Sequence, residues 1–344
     1  MRRFKPTIAF MFFLAIAGTA VLRVMAEPSL TDANRGYASD QFDGFSALDN
    51  DTRIPQKKPS WRFWLKYDTY QEQLAHADGL RADGELKAAR KAYEALVRKW
   101  PTEPESMRCQ YAIGQILEEQ KKYSKAFDEY QYLLVHFSGS CPYYEILDRQ
   151  FRIANWLLNN NVSMFGWKLS GYTEVRERFE TIVRNAPRSA CAPEAMLIIA
   201  GIRESEREYS EAIKVYDGIL NRFPKSEQAV SAAYLDSKCR HMLSIKQRDN
   251  EARNRETIAF LKALLERQPN HPQKSEIELW YREHQAMLED QNYQKAVFYD
   301  SSQRSLDASQ NAYRRFLQEF PNSRYAPTVK ARLEALEKGA PPLK

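Results

Sequence analysis

Residues 208–226 carry the clearest hydrophobic pattern in the chain. Ala212, Tyr216, Ile219, Leu220 and Phe223 recur at steps of three and four, which puts them on one helical face. Glu211, Lys214, Asp217 and Asn221 fall on the opposite side. Pro224 disfavours helical backbone at Phe223, so the helix is predicted to end there. Ser226 stands where the next helix needs an N-cap. Such a helix leaves an apolar stripe uncovered and requires neighbours of its own kind.

The chain supplies them. Ala89/Tyr93/Pro101, Ala212/Tyr216/Pro224 and Ser309/Tyr313/Pro321 follow one ruler, four residues and then eight. Ala126 and Tyr130 repeat its first part, with Ser138 in the proline's place. Each such helix has a partner before it carrying a small residue, Ala77, Gly114 or Ala200, where two helices can cross closely. Segments 71–80 and 85–100, 106–119 and 122–137, and 193–205 with 208–223 are predicted hairpins. Two longer units pair 143–158 with 172–186 and 227–244 with 251–268, and end on Pro187 and Pro269. A further helix is expected over 271–290, before a last pair at 293–302 and 306–320. Helix pairs of about 34 residues with these residues are the tetratricopeptide signature. The expected fold is an all-α tetratricopeptide-repeat solenoid of five to six helix pairs.

Composition fits this reading: 12 Gly against 19 Tyr and 17 Phe favours helices packed by aromatics over many tight turns. The net charge of +6 does not indicate a nucleic-acid partner. Arg2, Arg3, Lys5 and Arg23 all lie in the first 26 residues, which contain no acid, and the remainder is nearly balanced.

Those first residues have the layout of an export signal: a basic start, an apolar run from Ile8 to Leu22, and Val24-Met25-Ala26 as a cleavage site. The run is shorter than the roughly 20 residues a spanning helix needs. The predicted organisation is a signal peptide at 1–26, a polar linker at 27–66 with a Trp-rich end (Trp61, Trp64), a solenoid at 67–338 and a tail at 339–344. No Cys follows the apolar run before Cys109, so lipid attachment at a new N-terminal Cys is not expected. Cys109, Cys141, Cys191 and Cys239 lack metal-site spacing. In an oxidising compartment they form either one or two disulfides or buried free thiols.

Several stretches resemble the BamD-type family of outer-membrane protein assembly factors. They are Ala89-Arg-Lys-Ala-Tyr93 with Trp100-Pro101, Tyr123-Ser-Lys-Ala-Phe127, Phe223-Pro-Lys-Ser226, and Phe320-Pro-Asn-Ser323 with Tyr325-Ala326. The lengthened third unit around residues 159–171 is also similar to that family. The resemblance spans about 67–336 and implies a protein-binding scaffold in the periplasm, at the outer membrane, that works with a barrel insertase and unfolded barrel precursors. The missing lipidated cysteine departs from the family, so association through partners is expected instead.

No catalytic or cofactor motif is present: His76, His136, His241, His271 and His284 are scattered, and there is no G-x-S-x-G or phosphate-binding Gly loop. An enzyme is not expected, and neither is a cofactor. A periplasmic adaptor for cell-wall synthesis or division, or an envelope enzyme's accessory subunit, is the alternative to barrel assembly. In a solenoid the first helix of each pair lines the concave side. That register selects Arg81, Arg108, Tyr111, Gln115, Glu118, Leu197 and Glu204 as candidate partner-binding residues. Phe165 and Trp167, apolar in a polar loop, are further candidates. Acids such as Glu118 and Glu204 read otherwise as solvated faces.

Overall fold

The computed structural model describes residues 65–341, apart from 138, 164–168 and 302–304, together with residue 343. The signal and linker, apart from Leu65 and Lys66, lie outside the described residues. Among the described residues there are thirteen α-helices and no strand, so the fold is all-α. The described residues form two compact units, divided between Ile202 and Arg203.

The first unit holds three hairpins. These are α1 (Tyr70–Ala82) with α2 (Leu86–Lys99), α3 (Ser106–Glu119) with α4 (Tyr123–His136), and α5 (Tyr143–Ser163) with α6 (Leu169–Asn185). From α1 to α6 each helix packs on the next. Helix α7 (Ala192–Ser205) follows, and the division between the units falls inside its last turn. The second unit continues with α8 (Tyr209–Arg222), α9 (Glu227–Lys246), α10 (Glu251–Arg267), α11 (Lys274–Ser301), α12 (Leu306–Glu319) and α13 (Ala326–Glu337). Here too each of these packs on its successor, and α9 also touches α11.

The ruler residues are where the pattern put them. Ala89, Ala126 and Ala212 are fully buried, as are the small residues Ala77 and Ala200. Tyr93, Tyr130, Tyr216 and Tyr313 are at most 2% exposed, the largest fully buried side chains among the described residues. Gly114 is required by one of them: a Cβ there would lie 2.4 Å from Cε1 of Tyr130. Where Ser309 replaces the alanine, its hydroxyl donates to the Tyr299 carbonyl at 3.1 Å, so the buried oxygen is satisfied.

Helix ends follow from local chemistry. Trp100, Phe223, Gln268 and Phe320 share one non-helical C-cap conformation, with φ between −126° and −130° and ψ between 48° and 67°, and a proline follows each. Ser226 caps α9 as predicted, its Oγ accepting from the Ala229 N–H at 3.2 Å. Inside hairpins the chain turns on a left-handed residue: Gly84, Lys121 and Arg207, with Gly339 after α13. In each case the next N–H reaches the carbonyl five residues back, as in Lys122 to Leu117 and Glu208 to Arg203.

Two expectations need correction. The helices predicted at 271–290 and 293–302 are one helix, the 28-residue α11. Residues 288–293 contain neither Pro nor Gly, and Asn292 even donates back to the Leu288 carbonyl at 3.0 Å. Its buried positions Ile277, Trp280, His284, Leu288, Ala296 and Asp300 keep one helical face throughout. Of the loop expected at 159–171, residues 159–163 and 169–171 are helical instead: α5 runs to Ser163 and α6 begins at Leu169. Nothing in Asn159-Asn-Asn-Val-Ser163 breaks a helix.

Candidate partner-binding faces

The buried tyrosines do more than fill space. Each carries its hydroxyl to a carboxylate on the first helix of its hairpin, and that carboxylate meets a base from the next first helix. Tyr93 donates to Asp78 Oδ1 at 2.5 Å, and Arg108 reaches Asp78 Oδ2 at 3.0 Å. Tyr130 donates to Glu118 at 2.9 Å, and Arg149 reaches the same oxygen at 2.6 Å. In the second unit Tyr216 donates to Glu204 at 3.3 Å while Lys238 lies 2.8 Å from it. Tyr313 donates to Asp300 at 3.1 Å, and Arg332 grips that carboxylate at 2.7 and 3.0 Å. The longer units have Phe179 and Leu261 at the tyrosine position and make no such bridge.

In all four copies burial first, and then the adjacent carboxylate, push the tyrosine hydroxyl well above its ordinary range. The phenol therefore stays a donor at any physiological pH. The bridge is a hydrogen-bonded carboxylate clamped between two helix pairs; at Glu118, Glu204 and Asp300 its partners are half-buried or buried, which makes it stronger than an exposed ion pair, whereas the Asp78–Arg108 pair is exposed.

Most sequence-predicted site residues lie on this system. Arg81 donates to Gln115 at 2.9 Å and sits 3.7 Å from Glu119, linking α1 to α3. Arg108 and Glu118 are bridge members. Tyr111 donates to Glu145 and accepts from Arg149 at 2.7 Å, with the guanidinium 5.4 Å from its ring centre. The structure thus joins Tyr111 and Glu118 through Arg149, which sequence reasoning missed. Glu118 and Glu204 are not plain solvated acids: their side chains are only 21% and 17% exposed. Leu197 is half-buried on α7. Phe165 and Trp167 lie outside the described residues. A signal for the missed bases existed, since each follows its acid by 30–34 residues, about one repeat.

The second unit adds a different cluster on α9, α10 and α11. Trp280 stacks between Tyr234, at 5.8 Å, and His241, at 5.1 Å. Asn254 donates to the His284 backbone carbonyl at 3.1 Å, so its side-chain oxygen accepts from His284 Nδ1 at 2.7 Å. His284 Nε2 is then the acceptor for His241 Nδ1–H at 3.1 Å. Burial, and secondarily His241, lower the His284 pKa to about 4. Burial lowers His241 as well, against the pull of Glu283 and Glu276. All four cysteines are free thiols, with Cys109 and Cys239 buried. Among the described residues no three His, Cys, Asp or Glu side chains group as metal ligands, and no helix is long and apolar enough to cross a membrane.

Hairpins of this kind, with their small-residue crossings and αL turns, define a tetratricopeptide-repeat protein, and residues 74–144 match that repeat family. The chain belongs to the YfiO family of outer membrane lipoproteins, whose profile matches residues 167–340, just over half of its length. Both families are named for a repeat and a location, not for a reaction. No curated protein matches the chain. Similar solved structures include a tetratricopeptide repeat protein from Parabacteroides merdae, 15% identical, with 78% of this chain and 98% of that chain covered and a TM-score of 0.29. The C-terminal part of a repeat protein from Cytophaga hutchinsonii is 14% identical, covering 77% and 88%, with a TM-score of 0.31. The MamA protein is 12% identical, covering 60% and 94%, with a TM-score of 0.30. At these TM-scores they add nothing to the assignment, which rests on the helices and the family matches.

Proposed function

We propose that this chain is a non-catalytic scaffold of the cell envelope, exported to the periplasm, that serves outer-membrane β-barrel assembly. The family match over 167–340 carries the reading. The repeat architecture supports it, because stacked helix pairs offer long side-chain surfaces and no enclosed reaction site. Its partners are then proteins, the barrel insertase or its unfolded precursors, and through them the chain is held at the membrane. Affinity purification from detergent-solubilised envelopes tests this: the insertase is expected to co-purify, and its absence overturns the assignment. Carbonate washing of the membranes is expected to release the protein. Retention until detergent is added would instead require an anchor of its own.

A further inference from the structure

The junction between α9 and α11 is built differently from its neighbours. Leu261 stands at the tyrosine position, so the junction has no tyrosine bridge. Among the described residues no ion pair joins the two helices: Lys238 is engaged by Glu204, Arg240 by Asp217 and Asp236, Lys274 by Glu278 and Lys295 by Glu251. Helix α11 packs mainly on α10 and touches α9 only lightly. What joins α9 to α11 is the bond between half-buried His241 and fully buried His284 at 3.1 Å, with Trp280 stacked on His241 and Tyr234 donating to Glu276 at 2.8 Å.

A histidine pair of this kind counts protons. In the neutral pair His241 Nδ1–H donates to His284 Nε2, and Asn254 Oδ1 accepts from His284 Nδ1. One added proton leaves the bond in place, because an imidazolium still donates to the free nitrogen of its partner. Glu276 and Glu283 of α11 and the face of Trp280 favour that proton on His241. A second proton fills the last acceptor and sets N–H against N–H, with two like charges out of water. The surrounding elements do not offset it: α10 presents the neutral Asn254, Asp217 of α8 is held by Arg240, and Glu204 of α7 by Lys238. Asp236, pushed up to about 8 by burial, is already protonated in mild acid and does not titrate in the same range.

We propose that the His241–His284 pair is an acid-operated latch, and that uptake of two protons parts α9 from the α10–α11 pair while the tyrosine–carboxylate–base junctions stay closed. Those junctions join a carboxylate to an arginine or lysine, which do not titrate in the histidine range. The latch goes beyond the scaffold reading and does not depend on barrel assembly.

Hydrogen exchange of the full chain, followed by mass spectrometry from pH 7.5 to 4.5 and corrected for the intrinsic pH dependence of exchange, tests this. Protection in α9 and α11 is expected to fall about a hundredfold between pH 6.5 and 4.5, at about tenfold per unit for each proton the closed pair refuses. Protection in α1 to α4 is expected to stay within a few fold. His284→Gln keeps an amide able to pair with Asn254 and His241, and should reduce the loss in α9 and α11 to less than about tenfold over the same interval. If that variant is unfolded at pH 7.5, His241→Gln gives the same comparison at the half-buried ring. Protection of α9 and α11 that persists to pH 4.5, a loss shared equally by α1 to α4, or a glutamine variant as acid-sensitive as the parent overturns the latch.

Discussion

At the residue scale, Gly114 and Gly79 look alike in sequence, each a glycine inside a first helix, but their surroundings differ. Gly114→Ala puts a methyl into the Tyr130 ring and is expected to cost about 1–3 kcal/mol. Gly79 has open space around it, so Gly79→Ala should stabilise by about 0.5–1 kcal/mol through helix propensity. Urea denaturation of the two variants gives opposite signs if this packing is right. The bridges make a second residue-scale prediction. Arg149→Ala removes the cation from half-buried Glu118 and from Tyr111, and should cost about 1.5–3 kcal/mol. In a double-mutant cycle, Glu118→Gln and Arg149→Ala should be strongly non-additive; additive losses would refute the clamp.

At the element scale, the hairpin turns demand one residue with positive φ. Gly84 supplies it without a Cβ, while Lys121 at φ 57° and Arg207 at φ 64° hold it against steric resistance. Lys121→Gly and Arg207→Gly should each stabilise by about 0.5–1 kcal/mol, and Gly84→Ala should destabilise by about 1 kcal/mol, read as shifts in thermal midpoint. The α9–α10–α11 cluster makes the second unit sensitive to acid. His284 has a folded pKa of about 4 against 6.5 for an unperturbed histidine, so the unfolded chain binds more protons between those values. The contribution of His284 to stability therefore falls as pH drops from about 6.5 toward 4, by roughly 3 kcal/mol at the limit. Among the described residues His284 hydrogen-bonds His241 from α9 and Asn254 from α10, and no carboxylate is among its partners. Replacing it, as in His284→Gln, should reduce the slope of stability against pH, measured by denaturant titration across that range.

At the scale of the whole molecule, the four free cysteines decide between the two readings the sequence left open. Denatured protein is expected to titrate four thiols, whereas in the native protein Cys109 and Cys239 should react slowly. Burial, countered in part by Arg108, raises the Cys109 thiol to about 12, which leaves almost no thiolate. The distribution of polar chemistry differs between the units. In the first unit the predicted site residues Arg81, Arg108, Tyr111, Gln115 and Glu118 spend their side chains joining repeat to repeat. In the second, α9 and α11 leave five large apolar side chains exposed, Val230, Met242, Ile245, Leu279 and Phe298.

What the sequence by itself determined is the periodic part of this protein. Ala89, Tyr93 and Pro101 and their copies announce helix faces, crossings and stops because those depend on neighbours within a few turns. The helix-pair architecture followed from that regularity, and the family from the resemblance of particular stretches such as Phe223-Pro-Lys-Ser226. Tertiary structure alone decided three things: that Glu118 and Glu204 are clamped rather than solvated, that α11 is one helix, and that the four cysteines are free thiols. Each depends on groups about a repeat or more apart in the chain, or on the absence of a break where a repeat boundary was due. Periodicity reports which face a residue occupies, whereas the partner waiting on that face is set by how helices stack.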